Sequence, residues 1–271
     1  MSSETSPEPV CAKHPGRVTY VCCNRCGAGI CTECMVPAPV GFHCRKCVAE
    51  AQSRIRIPAE FVPRLTYALI GICVVLQVLG QLGIGTSSRF LQEFSLYPYA
   101  VAVGEQYRLL TAIFVHSGWF HLGMNMIMLW VLGRSLEQVF GRVRLLAVFL
   151  IAGLGGAVAS YWFNAPMTVG IGASGAIFGL FAAMFVFSRE HRVNTQEIVS
   201  VIALNLVIGF IIPGVDWHAH VGGLIAGAVV GWGVMPRRSV ALQWVVPALV
   251  LVVLAGAVQL RTDQLLATLI G

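Results

Sequence analysis

Charged residues are scarce in this chain, since Asp, Glu, Lys and Arg together make up 11% of its 271 residues. Apolar residues make up 57%, and the mean hydropathy is +0.78. A soluble globular domain carries far more charge than this. The composition therefore excludes an ordinary soluble protein and predicts an all-α polytopic membrane protein.

Three sequence patterns are also missing. The polar N-terminus (1–9) lacks the basic and then apolar order of a cleaved signal peptide, so we expect the first span to serve as its own insertion signal. No basic stripe with interleaved aromatic residues occurs, which argues against nucleic acid as a partner. No predicted span carries His-Glu-x-x-His or repeated midplane charges, which argues against a metalloprotease and against a transporter.

Seven apolar segments have adequate length to cross a bilayer. Four are nearly uninterrupted (65–84, 119–136, 145–163 and 242–260), and three contain small or polar residues (171–187, 198–212 and 217–235). Lys and Arg concentrate before the first segment and in alternate connections. The positive-inside rule thus predicts a multi-pass cell-membrane protein with a cytoplasmic N-terminus and an external C-terminus. Topology and attraction to the anionic lipid bilayer account for the net charge of +6.

The chain divides into five predicted parts. A disordered N-terminus (1–9) precedes a cysteine-rich module (10–48) and a linker (49–63) that contains arginine and proline. A core of six spans (64–236) follows, and a seventh span with the C-terminus (237–271) completes the chain. The seventh span carries no ionisable residue, so we expect its loss to leave the chemistry of the core intact.

Eight of the nine cysteines lie between Cys11 and Cys47. Four pairs of potential metal ligands share a spacing of two intervening residues: Cys11/His14, Cys23/Cys26, Cys31/Cys34 and Cys44/Cys47. This spacing lets a tight turn aim both side chains at one tetrahedral ion. Because the segment is too short to fold on its own apolar area, the eight ligands predict two closed, structural zinc (Zn) sites.

The alternative for these cysteines is a disulfide cluster, which a cytoplasmic location disfavours because thiols stay reduced there. Cys22 and His43 each adjoin a predicted ligand, and either could replace it at the cost of the uniform spacing. The interleaved pairs resemble cross-braced zinc modules of the B-box and RING type. That resemblance implies the sites Cys11/His14/Cys31/Cys34 and Cys23/Cys26/Cys44/Cys47, while the sequence names no partner for the module.

Polar residues occur near the start of the second, fourth and sixth predicted spans, which all run in the same direction. They are His121 and Asn125, Ser174, and His220. All four therefore lie at one depth, close below the outer surface, where unpaired polar groups are costly. Glycines spaced four apart follow both Ser174 and His220, and such stripes let two helices approach closely. A serine beside a histidine can lose its proton to the imidazole and attack a carbonyl.

Four motifs in residues 63–235 resemble the rhomboid family of intramembrane serine proteases. Gly172-Ala173-Ser174-Gly175 matches the nucleophile motif, and Ala219-His220 with Gly223 and Gly227 matches the general-base helix. The segment from His116 to Asn125 matches the family's histidine and asparagine segment, and Gly133, Glu137 and Gly141 match its packing motif. The resemblance implies a six-helix core and a Ser174–His220 dyad that cleaves transmembrane segments of single-span or multi-span membrane proteins near the outer face.

The resemblance also assigns supporting roles. His121 and Asn125 help the serine amide form an oxyanion hole, Gly172 supports it, and Phe178 stacks on the base without a tyrosine's hydroxyl. His116 is either a water ligand at the edge of the site or a histidine at the membrane interface. The alternative to catalysis is a silent rhomboid-like binder of membrane proteins, which the retention of all four polar residues disfavours.

Other polar residues are assigned structural roles. Asp216 is predicted to cap the sixth helix, Ser160 to serve helix packing and Asn164 to form a loop turn. Asn205 is expected to hydrogen-bond between helices. For Glu137 and Arg134 we expect an ion pair or a bond to a neighbouring loop.

Overall fold

The structure, a computed structural model, describes residues 9–38, 41–54, 61–82, 87–212 and 214–270. These residues fall into two compact units, one within Met1–Phe61 and the other within Val62–Gly271. Three predicted features fall outside the described residues: the expected disorder at residues 1–8, the middle of the linker (55–60) and the last two residues of the first predicted span.

The N-terminal unit has two small hairpins and a helix. Strand β1 (Val10–Cys11) pairs antiparallel with β2 (His14–Val18), and β3 (Met35–Pro37) pairs with β4 (Phe42–Cys44). Helix α1 (Arg45–Arg54) follows, so the start of the predicted linker is helical. The buried core of this unit consists of Ile30 and five cysteine side chains. So small an apolar core cannot supply the folding free energy of a stable unit.

The regular elements described in the second unit are helices, and one isolated β-bridge joins Leu96 to Gly170. The helices are α2 (Arg64–Gln81), α3 (Ser87–Phe94), α4 (Pro98–Ala102), α5 (Arg108–Thr111), α6 (Trp119–Phe140), α7 (Arg142–Phe163), α8 (Ser174–Glu190), α9 (Gln196–Ile211), α10 (Trp217–Gly233) and α11 (Val240–Ile270). Seven of these helices, α2 and α6 to α11, coincide with the seven predicted spans. The all-α fold class is confirmed for this unit, and the short helices α3 to α5 occupy the long connection before α6.

Three helices in the described residues are long and apolar enough to cross a membrane: Arg64–Gln81, Arg142–Phe163 and Val240–Thr268. Helix α9 is apolar but shorter. These apolar helices indicate a membrane protein. The prediction that the chain crosses the membrane seven times stays a prediction. Helix α11 continues to Ile270, ten residues beyond the predicted end of the last span.

Helix α10 packs against α8 through glycine. A Cβ atom on Gly223 would lie 2.0 Å from the carbonyl oxygen of Gly175, and one on Gly227 would lie 2.2 Å from the Cα of Gly179. No side chain fits at such distances, so the two backbones touch directly. Because Ser174 precedes Gly175 and His220 lies three residues before Gly223, this contact brings the two side chains together.

The start of α2 is held by Glu137 of α6. Its carboxylate accepts hydrogen bonds from the backbone N–H groups of Leu65 (3.0 Å) and Thr66 (2.8 Å) and from the Thr66 hydroxyl (2.8 Å). These bonds satisfy donors that a helix start leaves without intrahelical acceptors. The expectation of an ion pair or a bond to a neighbouring segment is confirmed for Glu137, whose carboxylate also lies 3.5 Å from the Arg142 guanidinium. The Arg134 guanidinium instead lies over the Trp130 ring, 6.0 Å from its centroid.

Helix α11 is tied to α7 along its length. The Tyr161 hydroxyl lies 2.8 Å from the Thr262 hydroxyl, and the Trp162 indole donates to the Ala257 carbonyl at 3.0 Å. At the other end of α7, Arg144 donates to the side-chain oxygen of Gln243 at 2.9 Å. These polar contacts show that the last helix is packed into the bundle.

Candidate active site

Ser174 and His220 are in direct contact. The Nε2 atom of His220 lies 3.0 Å from the Oγ atom of Ser174. Ser174 is the first residue of α8, and His220 lies in the first turn of α10 with 7% of its surface exposed. The distance is that of a hydrogen bond. A serine proton can therefore pass to the imidazole without either helix moving.

Phe178 fixes the plane of the imidazole. It lies one helical turn after Ser174, and its ring stacks on His220 with centroids 4.2 Å apart and planes 8° apart. On α9, a Cβ atom on Gly209 would lie 3.5 Å from the Nδ1 atom of His220. Among the described residues Nδ1 has no hydrogen-bond partner, so no carboxylate completes a triad in that part of the chain.

Gly172 brings the loop before Ser174 against His121. Its φ of +113° is a conformation that other residues rarely adopt, and a Cβ atom there would lie 2.7 Å from the His121 ring. Only glycine permits both the turn and the approach. Asn125 is buried one turn later on α6 and donates to the His121 carbonyl at 2.9 Å, so its amide keeps a second N–H.

Sequence reasoning missed Ser117. Its hydroxyl lies 3.0 Å from the Nδ1 atom of His121, where it orients the imidazole ring. The spacing of four residues at the start of a helix was the available signal, because such residues share a face.

His116 is not the interfacial histidine that was one of the two roles expected for it, because its side chain is 1% exposed. Its other expected role, as a water ligand of the site, stays a prediction. Its Nε2 atom accepts a hydrogen bond from the backbone N–H of Ala173 at 3.4 Å, and its ring lies 5.1 Å from that of His121. His116 therefore supports the loop that carries Ser174.

Asp216 caps α10, as predicted, by accepting a hydrogen bond from the Ala219 N–H at 3.2 Å. Its other carboxylate oxygen accepts hydrogen bonds from Ser160 and Asn164 at the end of α7. Ser160 is 2% exposed and packs between helices, as predicted. Asn164 follows the last residue of α7, as predicted, and its side chain adds an interhelical contact that was not predicted. The prediction for Asn205 is wrong, because its side chain donates to Val201 of its own helix at 2.8 Å.

The N-terminal unit contains two clusters that could hold metal ions. One is formed by Cys11, His14, Cys31 and Cys34, and the other by Cys23, Cys26, Cys44 and Cys47. The ligand atoms of each cluster lie within 4.8 Å of one another. These are the two sets that the cross-braced resemblance implies. Cys22 and His43 belong to neither cluster; Cys22 instead forms a β-bridge with Gly29.

The distances within the clusters fit a tetrahedral ion. The Nδ1 atom of His14 lies 3.9, 3.3 and 3.5 Å from the sulfur atoms of Cys11, Cys31 and Cys34, in that order. In the second cluster the sulfur atoms of Cys26 and Cys44 are 3.8 Å apart. Tetrahedral zinc places two sulfur ligands about 3.8 Å apart and a sulfur and a nitrogen about 3.6 Å apart.

The pKa values of the clustered thiols are shifted in opposite directions. The backbone N–H of Cys31 lowers the pKa of Cys11 to about 6. In the other cluster, the neighbouring Cys44 side chain and burial raise the pKa of Cys47 to about 12. Thiols so close together can all lose their protons only if a bound cation balances their charge.

The fold and the site together define the class of protein: a helical membrane protein with a serine–histidine pair at the meeting of two glycine-packed helices. The family model described as Rhomboid domain matches residues 103–237, about half of the chain. The protein belongs to the rhomboid family through this domain.

Relatives with rhomboid names are similar over the same region. The chain is 36% identical over 183 residues to RHOMBOID-like protein 5 of Arabidopsis thaliana (61% of this chain, 59% of the relative). It is 35% identical over 173 residues to Rhomboid protease GluP of Bacillus subtilis (61% and 34%) and 31% identical over 156 residues to Rhomboid protease AarA of Providencia stuartii (47% and 55%). The chain thus spans between a third and three fifths of the length of these relatives.

Proposed function

We propose that this protein is an intramembrane serine endopeptidase that cuts transmembrane segments of other membrane proteins. The observation that carries the proposal is the 3.0 Å contact between Ser174 Oγ and His220 Nε2. The stacked Phe178 ring and the direct backbone contact of α8 and α10 hold that geometry before substrate arrives. Preorganisation of this kind is what acyl transfer requires.

In the proposed reaction, His220 Nε2 takes the proton of Ser174 as the serine oxygen forms a bond to the substrate's carbonyl carbon. The imidazolium then gives that proton to the leaving amine nitrogen as the peptide bond breaks. A water molecule, deprotonated by His220, attacks the acyl-enzyme and releases the second product. The serine regains its proton in that step, so the cycle closes with one water consumed.

The negative charge on the carbonyl oxygen needs donors. The first N–H groups of α8 have no intrahelical acceptors and point away from the helix start. We assign the Ser174 amide, the His121 ring and the free N–H of Asn125 to this oxyanion hole. Gly172 makes the assignment sterically possible because it lets the loop lie against His121. Such donors stabilise the transition state strongly where water is scarce.

The predicted topology places this chemistry in the membrane. With seven crossings, a cytoplasmic N-terminus and an external C-terminus, the dyad lies near the outer face of the cell membrane. Substrates are then single-span or multi-span proteins whose helices unwind near that face. The names of the relatives GluP and AarA as proteases support the reaction class.

For the N-terminal unit we propose two structural zinc ions. Each cluster offers four ligands, and tetrahedral zinc takes four, so neither site keeps a position for a catalytic water. The eight ligands would supply the folding free energy that a core of cysteines and one isoleucine lacks. Catalysis in the other unit needs no metal under this proposal.

Labelling with a fluorophosphonate probe in detergent tests the catalytic proposal without knowledge of a substrate. We expect the wild type to be labelled and Ser174→Ala and His220→Ala to stay unlabelled, with all three proteins equally folded by thermal unfolding. A folded wild type that never reacts would instead identify a silent binder of membrane proteins. Loss of cleavage of a single-span test substrate should follow loss of labelling.

A further inference from the structure

Helices α7 and α10 contact each other through glycine residues beside the active site. A Cβ atom on Gly222 of α10 would lie 2.5 Å from the Gly155 carbonyl oxygen, and one on Gly156 of α7 would lie 2.6 Å from the Ala219 carbonyl oxygen. Backbones this close hold the two helices together. The side chains nearest these glycines are those of Ala159 and Ala226, and side chains this small offer little resistance to rotation of one helix against the other.

Directional contacts occur at the N-terminal end of α10, where Asp216 meets the end of α7. One oxygen of its carboxylate accepts from the Ala219 N–H at 3.2 Å and lies 3.5 Å from His218 Nδ1. The other oxygen accepts from the Ser160 hydroxyl and from the Asn164 amide, the latter at 2.9 Å. The Asn164 amide also donates to the Ser160 hydroxyl at 2.9 Å.

Asp216 is linked to His220 through the first turn of α10. The backbone carbonyl of Asp216 accepts the His220 N–H at 3.4 Å, so the two residues lie one helical turn apart. Ser160 is 2% exposed, and the Asp216 side chain is 17% exposed. A carboxylate in so sheltered a place forms strong, charge-assisted hydrogen bonds.

We propose that Asp216 is a positioning residue that locks the start of α10, and with it the imidazole of His220, to the end of α7. This inference rests on the proposed function. It adds the residue that fixes the position of the general base, His220, relative to Ser174. The Ser174–His220 contact tolerates little error, because a shift of about 1 Å takes a 3.0 Å hydrogen bond out of range.

Two changes remove the link from opposite sides. Asp216→Ser keeps an oxygen that can cap α10 but is too short to reach α7. The double change Ser160→Ala with Asn164→Ala keeps the cap and removes both donors. We expect each to slow fluorophosphonate labelling and kcat on a single-span substrate by about tenfold or more, with KM changed by less than about twofold.

Two further variants separate positioning from general stability. Asp216→Asn preserves the shape and the cap. Ser160 can turn its hydroxyl to accept from the new amide, and Asn164 can turn its amide so that its oxygen faces the new N–H group, so we expect at least about a third of the wild-type rate. Gln243→Ala removes a buried polar link of α7 at its opposite end, where Arg144 donates to it. We expect that control to lower the thermal midpoint and leave the labelling rate unchanged.

The outcomes are decisive. The inference fails if Asp216→Ser or the double variant reacts at the wild-type rate, if Asp216→Asn is as slow as Asp216→Ser, or if Gln243→Ala slows labelling as much as they do. In each of these cases a reactive wild type leaves the proposed function standing. A folded wild type that neither reacts nor cleaves overturns the proposed function and this inference with it.

Discussion

Phe178 lies flat against His220, with ring centroids 4.2 Å apart and an angle of 8° between the planes. The stack shelters one face of the imidazole and restricts its rotation, while Nε2 keeps its contact with Ser174. With no carboxylate on Nδ1 among the described residues, the orientation of the base depends on packing.

Replacement of Phe178 by leucine should therefore lower kcat. An aromatic pair contributes up to about 1.5 kcal/mol beyond its buried area, which corresponds to a loss of up to about tenfold in rate. Phe178→Tyr keeps the stack and should retain the wild-type kcat. Steady-state cleavage of a single-span substrate measures both, and a leucine variant with unchanged kcat would contradict the role of the stack.

Replacement of Asn125 by alanine should lower kcat by about 100-fold or more, because one oxyanion donor is lost. The matched control is Asn205→Ala. Both asparagines donate to the carbonyl four residues earlier, at 2.9 Å for Asn125 and 2.8 Å for Asn205, so each variant loses the same local bond. Equal kcat values in the two variants would exclude Asn125 from the oxyanion hole.

Replacement of Gly223 by alanine should destabilise the bundle. Its new Cβ atom would lie 2.0 Å from the Gly175 carbonyl oxygen, and overpacking of this kind costs about 1–3 kcal/mol or more. Gly71→Ala in α2 is the control, since nothing lies within 4 Å of its added Cβ atom; it should be neutral or stabilising. Unfolding in mixed detergent micelles reports both changes, and equal stabilities would refute the direct backbone contact of α8 and α10.

Zinc stoichiometry distinguishes the cross-braced arrangement from a sequential one, in which ligand pairs that are consecutive along the chain would share an ion. Cys11 and Cys31 belong to the same cluster, whereas Cys11 and Cys23 belong to different ones. Cys11→Ser with Cys31→Ser should therefore retain one zinc ion, and Cys11→Ser with Cys23→Ser should retain none. Metal analysis of the purified proteins decides this, because sequential pairing predicts the reverse.

Loss of the zinc ion held by Cys11, His14, Cys31 and Cys34 should leave the dyad competent. The two clusters lie in the N-terminal unit and the dyad in the other unit. We expect the variant Cys31→Ser with Cys34→Ser to react with the fluorophosphonate probe at the wild-type rate. A rate reduced to that of Ser174→Ala would show that this zinc ion is needed for catalysis.

Local sequence patterns were sufficient to predict the seven long helices and the four metal-ligand pairs, while the short helices α1 and α3 to α5 were not predicted. Apolar runs of bilayer length define the helices, because in hydrocarbon every backbone group must find its partner within its own segment. The spacing of two residues indicates four ligand pairs through the geometry of one turn, and the resemblance to cross-braced zinc modules implies which pairs share an ion. Ser174 and His220 could be paired because glycines spaced four apart follow each of them, and that spacing marks one face of a helix.

Contacts between distant parts of the chain could not be read in the same way. Asp216 meets Ser160 across 56 residues, and Glu137 meets Thr66 across 71. His116 was expected at a membrane interface or at the edge of the site, and it is buried beneath the loop of Ser174.

The amino-acid order alone thus predicts which segments are apolar helices, which residues can ligate metal and which serine and histidine lie in contact. Tertiary structure alone decides how polar side chains such as Asp216, His116 and Asn205 are satisfied. The physical reason is that helix formation and metal-ligand spacing depend on neighbours in the chain. The partner of a buried hydrogen-bonding group depends instead on which helices pack together and at what rotation.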